Sequence, residues 1–427
     1  SGAYDQHMTS DHRSLLETLF RAAIAAADPL VLVPQHLPRP GTGRTIVIGA
    51  GKAAASMAQA VERHWQGEIS GLVITRYGHG LPCERIEVVE AAHPIPDAAG
   101  LAATQRLFAL VQNLRPEDQV ICLISGGGSA LLNLPAPGVT LADKQLINAA
   151  LLKSGATISE INCVRKHLSA VKGGRLALAC APAQVTSLVI SDVPGDDLSV
   201  IASGPMSGDA STVQQARAIL QRYQINLPAS VEAYLASGLA ETPKPDDSRL
   251  AHCKTILIAS AHGSLEAAAR LARQSGYHPL NLGDFIEGES REVAYVHAAL
   301  ARQIALRNEP VARPCVILSG GETSVRVTGS GRGGRNSEFL LALAQALNGH
   351  ASIHAFAGDT DGIDGSEDNA GCFIDPHTLA RAEALDLKAT DYLARNDAYS
   401  YFAALNDLLV TGPSHTNVND FRAILID

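Results

Sequence analysis

Long apolar runs are missing from this chain: none reaches the roughly 18 residues a membrane-spanning helix requires. Missing too is any excess of positive charge. Lysine and arginine number 34 against 43 aspartates and glutamates, a formal −9, which argues against nucleic acid or an anionic membrane as a partner. No C-x-x-C pair occurs among the seven cysteines (Cys83, Cys122, Cys163, Cys180, Cys253, Cys315, Cys372), and most lie in apolar runs. An odd number of scattered, apolar-flanked thiols predicts reduced cysteines in a cytoplasmic protein and no zinc site. The opening Ser1–His7 has neither a basic stretch nor an apolar core, so it reads as a tag remnant, not a signal peptide, with Met8 the candidate start.

What is present is a hydrophobic content of 46 % with 18 % charged residues, the balance of a well-packed globular chain. At 427 residues two domains are expected. Asp11–Ala27 carries Leu15, Leu16, Leu19, Phe20 and Ile24 at helical spacing. Short β-rich runs then alternate with helical ones. Strands are predicted at Thr45–Ile48, Gly71–Thr75, Ile86–Val89, Gln119–Ile124 and Gln184–Ile190. Between Ser237 and Asp247 a Gly- and Pro-containing stretch reads as a linker, after which the alternation restarts with strands at Lys254–Ala259, Pro279–Leu282, Cys315–Leu318 and Ser324–Val327. The prediction is α/β, with two domains at 1–247 and 248–427, each a mainly parallel sheet with flanking helices. The first domain should be Rossmann-like, the active site in the cleft between domains, and the last residues are candidates for a return to the first domain.

Three motifs in the first half suggest anion chemistry, and a fourth suggests a base or a metal ligand. Gly49-Ala50-Gly51-Lys52 follows a strand and opens a helix, where a lysine opposes the helix dipole unless an anion sits there. A solvated lysine after a structural turn is the alternative. The motif is no Walker A loop, and the next strand ends in Thr75-Arg76 without the acidic residue that would hold an adenosine ribose. Ser125-Gly126-Gly127-Gly128-Ser129 offers backbone N–H groups for an anion nest, or only a sharp turn. It lacks the final glycine of a serine-hydrolase elbow. Arg165, Lys166, Lys172 and Arg175 crowd a double glycine, either as a phosphate face or as a solvated helix and its cap. Asp192, at the end of a strand, is a candidate base or metal ligand, whereas Asp196 and Asp197 read as turn caps.

The second half holds two glycine-rich loops of opposite charge. Gly329–Glu338 contributes Arg332 and Arg335, whose guanidinium forks suit phosphate or carboxylate oxygens. Gly358–Gly365 contributes Asp359, Asp361 and Asp364, hard oxygen donors suited to Mg²⁺. Glu322 follows Ser319-Gly320-Gly321, an echo of Ser125-Gly126-Gly127, and could equally be an exposed hairpin carboxylate. A cationic loop beside a metal-binding loop is what phosphoryl transfer requires.

Taken in order along nearly the whole chain, Gly49–Lys52, His93–Gly100, Ser125–Leu132, Asn162–Arg175, Ser191–Pro205, Ser319–Thr323, Gly329–Glu338, Gly358–Gly365 and Gly412–Asp420 resemble the glycerate 2-kinase family with a C-terminal MOFRL domain. The resemblance implies phosphorylation of D-glycerate to 2-phosphoglycerate with ATP and Mg²⁺. It implies Lys52, Asp192, Glu322, Arg332, Asp359 and Asn419 as active-site positions; Lys52, Asp192 and Arg332 are expected to be catalytic, and Asp359, with Asp361 or Glu322, to hold the metal. Ser125, Gly126, Gly127, Gly128, Ser129, Glu322 and Asn419 would bind substrate or phosphate, Asn419 entering through the resemblance alone. Partners would be the small acid and the nucleotide, with a homodimer left open. One departure stands out. The family usually reads Thr-Gly-Pro-Thr-Gly-Thr-Asn near the C-terminus, and this chain has Thr411-Gly412-Pro413-Ser414-His415-Thr416-Asn417, a histidine where glycine allows positive φ. The rival reading is a nicotinamide-dependent hydroxypyruvate reductase, suggested by Gly49-Ala50-Gly51.

Overall fold

Strands that bury both faces need helices above and below them, and the first sheet has both. A computed structural model describes the backbone of residues 2–427 and the side chains from Asp11 onward. The tag reading of Ser1–His7 lies outside those described side chains. Six strands form the first sheet: β1 (Thr45–Ala50), β2 (Ser70–Arg76), β3 (Ile86–Ala91), β4 (Gln119–Ile124), β5 (Gln184–Ser191) and β6 (Cys253–Ser260). Their spatial order is β3-β2-β1-β4-β5-β6, with parallel pairing from β3 through β5. This is the dinucleotide-fold order, and it reverses between β1 and β4. Every residue of β1 is buried. Four helices within residues 141–236 gather a separate apolar cluster around Ile147, Val164 and Leu220.

The second sheet departs from expectation. It contains β7 (His278–Asn281), β8 (Ile286–Glu289), β9 (Cys315–Ser324), β10 (Ile353–Asp359), β11 (Gly371–Ile374), β12 (Leu408–Leu409) and β13 (Asp420–Ile426). The order is β12-β11-β10-β13-β9-β7, with β8 also on β9. Only β7 and β8 run parallel to β9; the other pairings are antiparallel, so this sheet is mixed and not mainly parallel. Two of the antiparallel pairings come from β13, which enters between β9 and β10 against both, and β11 makes the other two. The expected strand Ser324–Val327 is absent, because β9 continues through Ser319–Thr323 and ends at Ser324.

The compact units also divide the chain elsewhere than 247/248. One unit is Pro29–Ile258; the other joins Ser1–Asp28 to Ala259–Asp427. The stretch read as a linker belongs inside the first of these, with Ala240 and Thr242 buried and Pro243 O accepting from Asp209 N at 2.8 Å. It is the N-terminal helix (Gly2–Ala25), not the C-terminus, that crosses over in sequence. The reason is apolar. β9 alternates Val316 and Leu318 toward one face, Cys315 and Ile317 toward the other. The first face is closed by Leu16, Leu19, Phe20 and Ala23, with the Phe20 ring 4.7 Å from Phe356 and 5.8 Å from Phe421. Thr416 Oγ1 ties the helix end by donating to Ala27 O at 2.8 Å. No helix among the described residues is long and apolar enough to cross a membrane.

Candidate active site

In the unit Pro29–Ile258 the loops after β1 and β4 interlock where the strand order reverses. Lys52 N donates to Gly126 O at 2.8 Å, and Ala53 N donates to Ser125 Oγ at 3.0 Å. The approach admits no side chain at Gly51: a Cβ there would lie 2.0 Å from Ser125 Oγ. Gly127 has φ +84°, and a Cβ on it would lie 3.3 Å from Lys52 Cγ and 3.1 Å from His93 Cδ2. Lys52 and His93 therefore flank the glycine loop from two other segments. Ser129 Oγ lies 2.8 Å from Ser203 Oγ and accepts from Arg165 Nη1 at 3.4 Å. Asp192 is half-buried just beyond β5, the strand next to β4. Asp197 caps a turn, accepting from Ser199 N at 2.9 Å.

In the other unit one guanidinium gathers three carboxylates. Arg335 Nε contacts Asp420 Oδ1 at 2.6 Å, Nη1 contacts Glu322 Oε1 at 3.2 Å and Nη2 contacts Asp359 Oδ2 at 2.9 Å. Asp420 also accepts from Thr323 N at 3.0 Å and from Arg422 Nη1 at 3.1 Å. Burial alone would raise the Asp420 pKa, but Arg335 and Arg422 outweigh it and hold the carboxyl below its usual range. Asp361 N donates to Asp359 Oδ1 at 3.0 Å, so these two buried aspartates share one turn. Asp364, fully buried, caps the helix Arg335–Leu347 by accepting from Asn336 N at 3.0 Å and Ser337 N at 2.8 Å. Burial raises its pKa.

Arg332 is not drawn into this carboxylate cluster. It is exposed, its Nε 3.0 Å from Glu367 Oε2 and its guanidinium 4.5 Å over the Tyr399 ring. Asn419, buried with φ +67°, uses its carbonyl to accept from Thr360 N at 3.0 Å and Thr360 Oγ1 at 2.7 Å. His415 stands at φ +61°, so the glycine-like backbone of that turn persists with a histidine in it. Asp420 and Arg422 escaped the sequence reading. Their one signal is an arginine inside the apolar run Phe421–Ile426.

Across both units, residues 15–236 match a profile described as a domain of unknown function, DUF4147, and residues 315–420 match the MOFRL family. The D-glycerate 2-kinase of Thermotoga maritima is 40 % identical over 97 % of this chain and 98 % of its own. The chain belongs to the glycerate 2-kinase family with a C-terminal MOFRL domain. A crystal structure of glycerate kinase from Thermotoga maritima superposes with a TM-score of 0.89 at 39 % identity, covering 98 % of this chain and all of that one. An Agrobacterium vitis protein with the provisional name hydroxypyruvate reductase is 52 % identical over 97 % of this chain and 94 % of its own. In this glycerate 2-kinase family member Asp359, Asp420 and Glu322 each meet Arg335, Asp420 also meets Arg422, and Asp361 shares a turn with Asp359, so carboxylate oxygens and guanidinium groups gather at one place in the unit.

Proposed function

We propose that this phosphotransferase moves the γ-phosphoryl group of ATP to the 2-hydroxyl of D-glycerate, giving 2-phosphoglycerate and ADP. The observation that carries the reading is the likeness to the Thermotoga enzyme over almost the full length of both chains. The 2-hydroxyl oxygen bonds to the γ-phosphorus as the bond to the β-phosphate oxygen breaks, and the hydroxyl proton leaves. Asp192 orients that hydroxyl and accepts its proton. Lys52 and the N–H groups of Ser125–Ser129 hold oxyanions. Arg332 adds charge to the transferring group, exchanging an exposed ion pair with Glu367, the kind worth little in water, for phosphate oxygens. Asp359 and Asp361 would hold Mg²⁺, which when bound would neutralise phosphate charge. Glu322 and Asn419 complete the binding set, Asn419 by holding Thr360 in the same turn. Seven free cysteines support a cytoplasmic setting.

The provisional reductase name and the dinucleotide-fold strand order favour a second reading. Against it, β2 ends at Arg76 where a nicotinamide dinucleotide needs a ribose carboxylate. One pair of assays separates them. D-Glycerate with Mg-ATP should release ADP, and hydroxypyruvate with NADH or NADPH should leave the nicotinamide absorbance constant. Phosphorus NMR of the product identifies the phosphorylated hydroxyl; a 3-phosphate would sink the 2-position.

A further inference from the structure

A cavity of about 540 Å³ lies behind Ser129 in the unit Pro29–Ile258, and its charge is one-sided. Lys144, Lys172, Arg165 and His93 line it, and no aspartate or glutamate does. Lys144 and Lys172 are only 3 % and 1 % exposed. Burying like charges without a counter-ion is expensive, and proteins normally pair them. The contrast on one helix is direct: Lys166 meets Asp209 at 3.6 Å, while its neighbour Arg165 faces the cavity. Burial, with Arg165 adding to it, pushes Lys144 down to about 7; Lys172 is driven well below its usual range by burial and by both other cations.

The hydrogen bonds assign different duties to the three cations. Lys172 Nζ has three acceptors, Ser129 O, Ser129 Oγ at 3.3 Å and Leu132 O at 3.1 Å, which leaves none of its protons for a ligand. It fixes the glycine loop. Lys144 Nζ donates to Asn133 Oδ1 at 3.1 Å and has protons to spare. Arg165 engages Ser129 Oγ and Asn162 Oδ1 (3.2 Å) through Nη1, leaving Nε and Nη2 for a ligand. Gly127 and Ser129 also line the cavity, so it is continuous with the loop that Lys52 flanks.

We infer that this cavity is an oxyanion subsite, in which Arg165 and Lys144 bind an oxyanion of one reactant while Lys172 positions Ser129. The inference rests on the kinase reading for the identity of the reactants. The oxyanion is the carboxylate of the hydroxy acid or a phosphate of the nucleotide. Both carry the planar or tetrahedral oxygen pairs that a guanidinium fork binds.

The test is calorimetric titration of the full-length wild type, Arg165→Met, Arg165→Lys and Lys144→Met with D-glycerate, with ADP and with inorganic phosphate. A charged hydrogen bond lost from such a site weakens binding roughly 10- to 100-fold, and Arg165→Lys should recover part of that loss. A loss confined to glycerate assigns the carboxylate; a loss confined to ADP assigns the phosphate. Unchanged affinities for both reactants in folded Arg165→Met overturn the subsite. Arg165 is only partly buried, so its variants carry the test should Lys144→Met fail to fold. Inorganic phosphate separates this inference from the kinase reading. A wild type that forms no ADP yet binds phosphate through Arg165 sinks the kinase and keeps the subsite. A turning-over enzyme whose Arg165→Met variant binds every ligand normally does the reverse.

Discussion

Arg335 Nε sits 2.6 Å from Asp420 Oδ1, and this pair ties the start of one helix to the first residue of the last strand. Asp420 is fully buried and Arg335 largely so. Removing one partner of such a pair strands the other charge, at a cost of about 3–5 kcal/mol. Arg335→Met should therefore lower the unfolding free energy of the C-terminal unit, read from urea titration, by that order as well as abolish turnover. A variant with unchanged stability would show that Arg422 alone compensates Asp420.

Arg332 predicts the opposite split. It is exposed, and its ion pair with Glu367 contributes little to folding. Arg332→Ala and Lys52→Ala should each cost roughly 10²–10³ in kcat, as loss of a single charge-stabilising group does. Melting temperatures should stay within error of the parent. Near-normal kcat in either variant would remove that residue from the catalytic set.

Gly51→Ala probes the interlocked loops. The new Cβ would fall 2.0 Å from Ser125 Oγ, at a φ of +140° that alanine avoids. The expected result is a loss of about 1–3 kcal/mol together with a kcat drop, because Lys52 is the next residue. Wild-type kinetics in this variant would mean that the register of the two loops does not govern Lys52.

Acid should weaken the C-terminal unit through two histidines. Burial and Arg422 push His297 down to about 4, and burial and His12 push His354 to about 4 as well. An unfolded histidine titrates near about 6.5. Between those values the unfolded chain binds more protons, so stability is fully present above the upper one and is lost as pH falls toward the lower. At pH 5 each histidine should cost roughly 2 kcal/mol relative to pH 7.5, from about 1.4 kcal/mol per pKa unit. Urea midpoints measured at both pH values check this, and His297→Asn should flatten the dependence. An equally steep profile in that variant would place the effect elsewhere.

Much of the fold was legible because its first half obeys local rules. Gln119–Ile124 appears at the predicted residues, and the strands predicted at Thr45–Ile48 and Gln184–Ile190 run only one or two residues further. The second sheet was less so. Asp420–Ile426 pairs antiparallel with Ile353–Asp359 and with Cys315–Ser324 across long sequence gaps, and nothing local in it announces orientation. Helical spacing in Leu16, Leu19 and Phe20 reveals a buried face but not which sheet will bury it. The glycine loops and their charged residues were readable from composition and order. Their partners were not, since Arg335 meets Asp420 across 85 positions.

The N-terminal helix has a consequence for how this protein is made and cut. Residues Pro29–Ile258 form an insertion within a discontinuous unit whose first piece precedes them and whose second follows. Ribosomal synthesis therefore releases Leu16, Leu19 and Phe20 long before the sheet that covers them exists. The inserted unit can complete itself meanwhile. A fragment beginning at Ala259 would leave Phe356 and Phe421 without the ring of Phe20 against them. Any expression of the MOFRL half alone needs residues 11–28 supplied with it, joined ahead of Ala259 or added in trans.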